Sequence, residues 1–524
     1  MAQFTCLQAF RRQARIIKER IAIKTSLIAV FSKLFTLVFS LIISRLFVRH
    51  IGIELRGVNS VLSDILGFLQ LAELGIGAAI TYALYEPLQK GENDEVASLM
   101  WLYKRLYQII FVAIIFLGVL FTPLVGFFIH DSTFSNSYIF VVYFIQLVST
   151  AVTYLFAYKR NLFYADQRQY VTIIVDTCMN LCGAVAQIAM ITIYKSYILF
   201  LVCNIAQVVL SNTIISIKYN RDYSHIIACG KKKYSKKEQL FQNVKNIVIG
   251  RIGGWVYGAT DNAVLSRFVG VVVVGKMANY YTLKTTITAI IGAIVSPIQP
   301  LIAKYIREEH SKKDAYRLFL NYTYVRFCIA NVVCVGMITM YNDVISLWMG
   351  EKYVLPIAIP ILLTMDTFIA VVHGPTGEFI NALGLFSDDR NMSIGAMAIN
   401  LVSSIVLVYY LGTSGVLIGT VLAQLFYWVM RARIVFARFF KQGVVLYIWK
   451  ILKYIGLTAF DVIILRWLFA QFHNEITVWS LLLEAVICIM VSIITNVLAN
   501  FITDEFRFAF GLVKRSLFHV LNKK

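Results

Sequence analysis

Residues 25–48 read TSLIAVFSKLFTLVFSLIISRLFV, an almost uninterrupted apolar run. A helix rises about 1.5 Å per residue, so about twenty such residues cross the roughly 30 Å of hydrocarbon in a bilayer. Comparable runs recur along the whole 524-residue chain. This repetition predicts an all-α integral membrane protein with about fourteen transmembrane helices, because a helix satisfies its backbone hydrogen bonds within lipid.

Composition points the same way, since 59% of the residues are apolar and only 15% are charged. An average soluble protein is about one quarter charged. The net charge of +21 comes from basic residues in short loops and not from one folded surface, so we expect no nucleic-acid partner. The eight cysteines form no disulfide or metal-binding pattern, and we expect neither a metal nor a cofactor.

The loop charges predict the orientation, because Lys and Arg gather on the cytoplasmic side of a membrane. Basic residues mark alternate loops, for example Lys104 with Arg105 and Lys159 with Arg160, whereas the loops around Ser196 and Gly412 carry almost none. With the amino terminus inside, this pattern places both termini in the cytoplasm. An even number of spans is therefore expected.

The longest polar interruption, from Lys218 to Lys245, follows the sixth predicted span. It predicts two pseudo-symmetric six-helix lobes around a central cleft, plus two C-terminal helices, because internal repeats are a common plan among transporters. The expected segments are a basic cytoplasmic helix at 1–24, an N-lobe at 25–217, a basic linker at 218–243, a C-lobe at 244–440, and two final spans with a basic tail at 441–524.

Three basic residues lie deep within the predicted spans: Lys33 in span one, Arg251 in span seven and Lys284 in span eight. A charge in hydrocarbon is costly, so such residues usually face a hydrated cavity or a partner. Lys33 belongs to a stripe of polar residues that recurs at helical spacing. Deep cations favour an anionic substrate, because Arg and Lys are the usual groups that bind phosphate.

Carboxylates are also found within the spans. They are Asp64, Glu73, Asp176, Asp261, Asp366 and Glu378. Asp64 and Glu73 fall on roughly opposite faces of one helix and should not act as a pair. Asp366, His373 and Glu378 surround Gly374 and Pro375, where we expect the helix to break. Two simpler readings stay open, that Asp261 pairs with a nearby cation and that His373 is a satisfied core histidine.

Three stretches resemble the polysaccharide transporters, or oligosaccharide flippases, of the multidrug/oligosaccharidyl-lipid/polysaccharide exporter superfamily. The first runs from Arg45 to Gly91 and contains GIELRGVNS (52–60) and AELGIGAAI (72–80). The second is YADQRQ (164–169), and the third is TDNAVLSRFVG (260–270) with the following segment from Tyr280 to Pro300. The likeness extends to about residue 440.

The resemblance implies export of an undecaprenyl-diphosphate-linked oligosaccharide to the outer leaflet of a bacterial plasma membrane, for capsule or O-antigen assembly. It also implies polysaccharide-assembly proteins as partners. Lys33, Arg251 and Lys284 would hold the pyrophosphate while the lobes rock around them. Asp64, Glu73, Asp176, Asp261, Asp366 and Glu378 would be candidates for binding H⁺ or Na⁺ and coupling transport to an ion gradient.

Two other functions remain open. A drug/cation antiporter of the same superfamily would favour an acidic cavity, and the deep Lys and Arg residues count against it. A membrane-embedded glycan polymerase or ligase would normally carry a large outer loop with a catalytic His or Asp, and none is seen in the sequence. We therefore expect a transporter and not an enzyme, with no catalytic residue.

Overall fold

The computed structural model describes residues 31–33, 35–70, 76–229, 260–296, 298–308, 311–471 and 476–521. Every regular element in these ranges is a helix. The chain divides into two compact units, Met1–Ile252 and Gly253–Lys524. The fold is therefore all-α, as the sequence predicts, and each unit is described separately below.

Within the described residues, unit 1 contains nine helices. They are α1 Phe31–His50, α2 Ile53–Leu69, α3 Ile76–Lys90, α4 Asn93–Leu120, α5 Thr122–Phe128, α6 Asn136–Ala165, α7 Gln169–Thr192, α8 Tyr197–Asp222 and α9 Ser224–Ala228. Positive φ angles at Gly52 and Gly91 let the chain reverse between helices, since glycine has no Cβ to clash there.

In the described residues of unit 2 there are ten further α-helices. They are α10 Asp261–Phe268, α11 Val271–Val295, α12 Gln299–Arg307, α13 Lys312–Met349, α14 Ala358–Leu383, α15 Phe386–Leu411, α16 Thr413–Ile434, α17 Val445–Gln471, α18 Val478–Asn500 and α19 Asp504–Leu521. A short π-helix, Val435–Phe440, extends α16. Aromatic rings of α13, α14, α17 and this π-helix form part of the apolar core of the unit.

Ten of the described helices are each long and apolar enough to cross a membrane. Helices α11 and α12 meet this test only as a pair, and counting the pair as one span gives eleven. Those two helices meet at 43°, so the expected eighth span begins earlier than predicted and is bent. The number fourteen stays a prediction, because expected spans at 57–86 and 244–268 fall partly outside the described residues. The chain is nevertheless a multi-pass membrane protein.

The outer surface of the helices is apolar, as lipid contact requires. On α15, Val402, Val406 and Tyr410 follow one another at intervals of four residues and are 62%, 50% and 81% exposed. Residues four apart share one face of a helix. Large exposed aromatic residues also lie near helix ends, for example Tyr410 and Trp479, where their amphipathic rings suit the membrane interface.

Close packing of α15 against α16 depends on Gly415 and Gly419, which form a G-x-x-x-G motif. A Cβ added at Gly415 would collide with the backbone carbonyl oxygen of Leu407, and one at Gly419 with the hydroxyl of Ser404. Small residues at this spacing let two membrane helices approach closely. Because the obstacle at Gly415 is backbone, a neighbouring side chain cannot relieve the clash by changing rotamer.

We therefore expect Gly415→Ala to lower the free energy of unfolding by about 1–3 kcal/mol, the usual range for overpacking. Unfolding of the purified protein in detergent would measure the change. Gly292→Ala is the matched control, because a Cβ at Gly292 on α11 meets nothing within 4 Å. Alanine there should be neutral or stabilise the helix by up to about 1 kcal/mol. Equal stabilities for the two variants would contradict this account of the helix contact.

Candidate functional site

The cation Lys284 lies inside unit 2, where three helices meet. Its ammonium group on α11 forms an ion pair with Oδ2 of Asp366 on α14, and the side-chain amide of Gln424 on α16 donates to Oδ1 of the same carboxylate. The side chains of Lys284 and Asp366 are 19% and 7% exposed. The sequence predicted both residues as functional, and the structure brings them together, with the cation neutralised by the carboxylate.

A second polar group surrounds Asp261 at the start of α10. The hydroxyl of Thr420 on α16 donates to Asp261 Oδ2 over 2.9 Å, and Asn400 Nδ2 on α15 donates to the Thr420 hydroxyl over 3.0 Å. The hydroxyl of Thr260 in turn donates to Asn400 Oδ1 over 3.2 Å. Asp261 is buried, and among the described residues its Oδ1 has no hydrogen-bond partner.

The side chain of Asp261 lies close enough to Asp366 and Lys284 for both of their charges to act on it. Helix α16 contacts both carboxylates, because Thr420 donates to Asp261 and Gln424 donates to Asp366. Residues four apart lie on the same helix face. We call Lys284, Asp366, Gln424, Asp261, Thr420 and Asn400 the unit 2 polar site.

Glu378, another predicted ion-coupling residue, pairs with Arg326 on α13 rather than standing free. Arg326 Nη1 lies 2.8 Å from Glu378 Oε1, and both side chains are about one-tenth exposed, at 9% and 10%. Tyr322 and Gln299 donate to the same oxygen, each over 3.3 Å. The other oxygen, Oε2, is buried without a hydrogen-bond partner in the described chain.

The expected helix break at Gly374 and Pro375 is wrong. A single α-helix, α14, runs from Ala358 to Leu383 with Pro375 inside it. Proline has no N–H to offer the carbonyl four residues earlier, which here belongs to Val371. Arg326 Nε donates to that carbonyl over 2.7 Å, so the guanidinium replaces the missing donor. Gly374 makes room for it, because a Cβ there would collide with the guanidinium of Arg326.

Arg431 of α16 lies against α14 at His373 and binds Asp389 of α15 with two hydrogen bonds. Nε lies 2.6 Å from Oδ1 and Nη2 lies 2.7 Å from Oδ2, the bidentate geometry that favours arginine over lysine. Arg431 Nη1 also lies 3.2 Å from Nε2 of His373. An arginine can only donate, so this contact assigns Nε2 as the acceptor of a neutral ring. His373 is therefore a hydrogen-bonded, half-buried residue.

In unit 1, the predicted residue Asp176 is bound by Arg160 of α6. The two bonds measure 2.7 and 2.9 Å, and the hydroxyl of Ser211 on α8 donates to the same carboxylate over 2.7 Å. Asn212 accepts from Arg160 Nε over 2.8 Å. This ion pair links α6, α7 and α8.

The remaining predicted residues are not brought together by the described structure. Lys33 lies on α1 with an exposed side chain, and Asp64 is half-buried on α2. Arg251 and Glu73 lie outside the described residues, so their predicted roles stay predictions. Unit 1 also has a half-buried cation that the sequence analysis did not select, Arg56, which donates to the Ser44 hydroxyl over 3.2 Å.

Three polar residues of unit 2 were not predicted from the sequence: Arg326, Arg431 and Gln424. A signal was present for two of them, because Thr420, Gln424, Tyr427 and Arg431 recur at helical spacing and form one polar stripe on an otherwise apolar span. Arg326 is the only Lys or Arg in residues 318–348, and only its depth marks it. Of the predicted carboxylates that the structure describes in unit 2, Asp366 and Glu378 are each paired with a cation and Asp261 is not.

The unit 2 polar site offers oxygen ligands around Asp261 and one cationic side chain, Lys284, whose partner could be exchanged. Carboxylate, amide and hydroxyl oxygens around Asp261 suit a hard cation or a proton. Within the described residues, no group of three His, Cys, Asp or Glu side chains is placed to hold a metal ion. The ammonium group of Lys284 suits a phosphate, provided that Asp366 releases it.

The fold resembles solved transporters over most of its length. A lipid II flippase, MurJ, in an inward closed conformation superimposes with a TM-score of 0.65 and 15% identity, covering 90% of this chain and 98% of that protein. A multidrug resistance MATE family transporter of the MOP superfamily, in an inward-facing conformation, gives a TM-score of 0.59 with 12% identity over 78% of this chain and 98% of its own.

The same kind of transporter in an outward-facing conformation gives a TM-score of 0.50 with 12% identity over 81% of this chain and 97% of its own. No protein-family model matches the sequence. No curated protein matches it either. The structural likeness confirms the fold of the exporter superfamily that the sequence resemblance predicts.

Proposed function

We propose that this chain is a flippase that moves an undecaprenyl-diphosphate-linked oligosaccharide from the cytoplasmic to the outer leaflet of a bacterial plasma membrane. Both termini would lie in the cytoplasm, as the loop charges predict. Transport and not catalysis is proposed, because the fold is that of a lipid flippase and of MATE transporters.

The observation that carries the proposal is the half-buried cation Lys284, which lies within an apolar helix of a transporter fold. A charged side chain within a membrane span is costly and usually marks a substrate or ion pathway. In the structure Asp366 neutralises this cation. An incoming diphosphate would replace Asp366 as the partner of Lys284, so substrate binding would free a carboxylate and change the contacts between α11 and α14. Lys33 and Arg251 of unit 1 stay candidates for binding a diphosphate, as the sequence predicts.

We place ion coupling at Asp261 in preference to the other predicted carboxylates. Asp176, Asp366 and Glu378 each have a direct cationic partner, which already balances their charge. Asp261 has none among the described residues, and one of its oxygens lacks a hydrogen bond. A Na⁺ or H⁺ would supply that partner. Thr420 and Gln424 share one face of α16 and contact Asp261 and Asp366. Binding of an ion at Asp261 would therefore change the contacts of Asp366 and, through them, those of Lys284.

We expect Asp261→Asn to abolish the dependence of flipping on an ion gradient and to slow flipping about 5–150-fold, the usual size of coupling between two sites. Asparagine keeps the shape and still accepts the hydrogen bond from Thr420, but it cannot take up a proton or balance a cation. Flipping in proteoliposomes with imposed Na⁺ or pH gradients would measure this. Asp504→Asn, at an exposed surface pair, is the control, and equal gradient dependence in both variants would count against Asp261.

The function itself is tested by deleting the gene in its own host. We expect labelled polyprenyl-diphosphate oligosaccharide to accumulate in the cytoplasmic leaflet and surface polysaccharide to be lost, with both defects reversed by the wild-type gene. Normal surface glycan in the deletion strain would contradict the proposal.

The second candidate is a drug/cation antiporter, which the MATE fold similarity and the carboxylate Asp261 favour. It differs in its cargo, since a cationic drug would bind a carboxylate and be repelled by Lys284. A deletion strain with intact surface glycan and increased sensitivity to cationic drugs would support this function instead.

A further inference from the structure

Unit 1 contains two neighbouring polar cavities that the ion pairs described above do not explain. The first has a volume of about 310 Å³ and lies between α2, α6 and α8. The second has about 290 Å³ and lies between α1, α2, α7 and α8. Both are lined by Asn204 of α8, and we call the two together the amide pocket. Their size is close to the lower end of the range for ligand sites, roughly 300–1,000 Å³.

Uncharged amides and hydroxyls dominate the lining. Asn59, Ser63, Gln70, Gln146 and Ser149 face the first cavity, and Ser40, Asn180, Gln187 and Gln207 face the second. No carboxylate lines either cavity in the part of the chain that the structure describes. Arg56 is the single cation among these described lining residues, which is too little positive charge for a diphosphate and the wrong charge for a cationic drug.

Part of the lining is held rigidly. Asn59 Oδ1 accepts hydrogen bonds from the Tyr197 hydroxyl over 2.7 Å and from Gln146 Nε2 over 3.1 Å. Gln207 Nε2 donates to Asn180 Oδ1 over 2.6 Å. Gly183 lets Gln207 lie against α7, because a Cβ there would collide with the Gln207 side chain. These bonds fix which amide atoms face the cavity.

Two other amides of the pocket have no hydrogen-bond partner within the described ranges. The side chains of Asn204 and Gln187 make no hydrogen bond to any described residue, although Gln187 is only 9% exposed. Neither residue is among the described ones with a fully buried polar atom that lacks a partner, so their amide atoms reach the surface of the cavity. Both amides are therefore available to an occupant of the cavity, water or ligand, that can donate and accept hydrogen bonds.

From this lining we propose that the amide pocket of unit 1 binds the glycosyl portion of the substrate through neutral hydrogen bonds. A sugar hydroxyl both donates and accepts, and so does a side-chain amide, so the two match without any net charge. Phe200 supplies an apolar ring surface in the first cavity, against which the C–H face of a pyranose can pack. The inference rests on the proposed flippase function and adds the group that would recognise the sugar.

The test separates the sugar from the lipid diphosphate by using two probes with the full-length protein in lipid nanodiscs. One probe is the phosphate-free oligosaccharide released by mild acid from the lipid-linked glycan of the host. The other is undecaprenyl diphosphate without sugar. Binding would be measured for wild type, Asn204→Leu and Gln187→Leu, with Gln187→Met as a second variant if leucine impairs folding.

We expect wild type to bind both probes. Each pocket variant should bind the oligosaccharide about tenfold or more weakly, as expected for loss of a neutral hydrogen bond with a buried partner left unpaired, while binding of undecaprenyl diphosphate changes less than about twofold. Gln108→Leu is the matched control, because Gln108 is exposed on α4 and lines neither cavity. It should bind both probes as wild type does.

The proposal is overturned if wild type does not bind the free oligosaccharide, or if the pocket variants bind it as tightly as Gln108→Leu. If wild type binds undecaprenyl diphosphate but not the oligosaccharide, the glycan site in the amide pocket is contradicted, and the proposed flippase function is not. Binding of oligosaccharide with the expected losses, but none of undecaprenyl diphosphate, would support the pocket as a glycan site and contradict the lipid-linked substrate.

Discussion

Arg326→Ala is expected to lower the free energy of unfolding by about 3–5 kcal/mol, the usual cost of leaving one partner of a buried ion pair alone. The substitution leaves the carboxylate of Glu378 without its cation, although both side chains are about nine-tenths buried. It also removes the hydrogen-bond donor to the Val371 carbonyl. Pro375 cannot take over this bond, because proline has no N–H. Two buried groups therefore lose their partners at once. Unfolding of the purified protein in detergent would measure the loss.

Arg317→Ala is the matched control, because Arg317 lies on the same helix and pairs with Asp504 at the surface, where the two side chains are 68% and 65% exposed. Exposed pairs contribute little, so we expect a change below about 1 kcal/mol. The double variant Arg326→Met with Glu378→Gln should recover part of the loss, since it leaves no unpaired charge. Similar losses for Arg326→Ala and Arg317→Ala would show that the buried pair does not stabilise the fold.

Lys284→Met is expected to reduce flipping about 100-fold or more. It removes the cation that, in the proposed cycle, exchanges Asp366 for the diphosphate as its partner. A lost charge-assisted contact costs about 1.5–3 kcal/mol, and losing the exchange of partners between Asp366 and the diphosphate adds to that cost. Flipping of a fluorescent polyprenyl-diphosphate glycan in proteoliposomes would measure the rate. Lys276→Met, eight positions earlier on the same helix α11, should flip at close to the wild-type rate.

Stability and transport must be separated, because Lys284→Met leaves Asp366 without its cationic partner. Adding Asp366→Asn removes the unpaired charge, and the new amide can still bond to Gln424. We therefore expect the double variant to regain most of the wild-type stability while flipping stays lost. If the double variant regained flipping as well, Lys284 would be a structural partner of Asp366 and would not bind the substrate.

Much of the fold could be predicted because its causes are local in sequence. A run of apolar residues long enough to cross a bilayer is visible in one segment, such as residues 25–48, and the membrane allows that segment little choice but a helix. The position of Lys284 inside an apolar helix could be predicted for the same reason. The break at Pro375 was wrongly predicted because the compensating donor, Arg326, lies on another helix.

The sequence by itself determined that this is an all-α multi-pass membrane protein with ionisable residues deep in its spans, because helical periodicity and hydropathy depend on neighbouring positions. Only the tertiary structure decided which charges meet. Lys284 and Asp366 are 82 positions apart, and Thr420 and Asp261 are 159 apart. Such contacts depend on how helices pack. Packing joined apparently isolated charges into neutral pairs, whereas Asp261 and two amides of unit 1 find no full set of partners among the described residues.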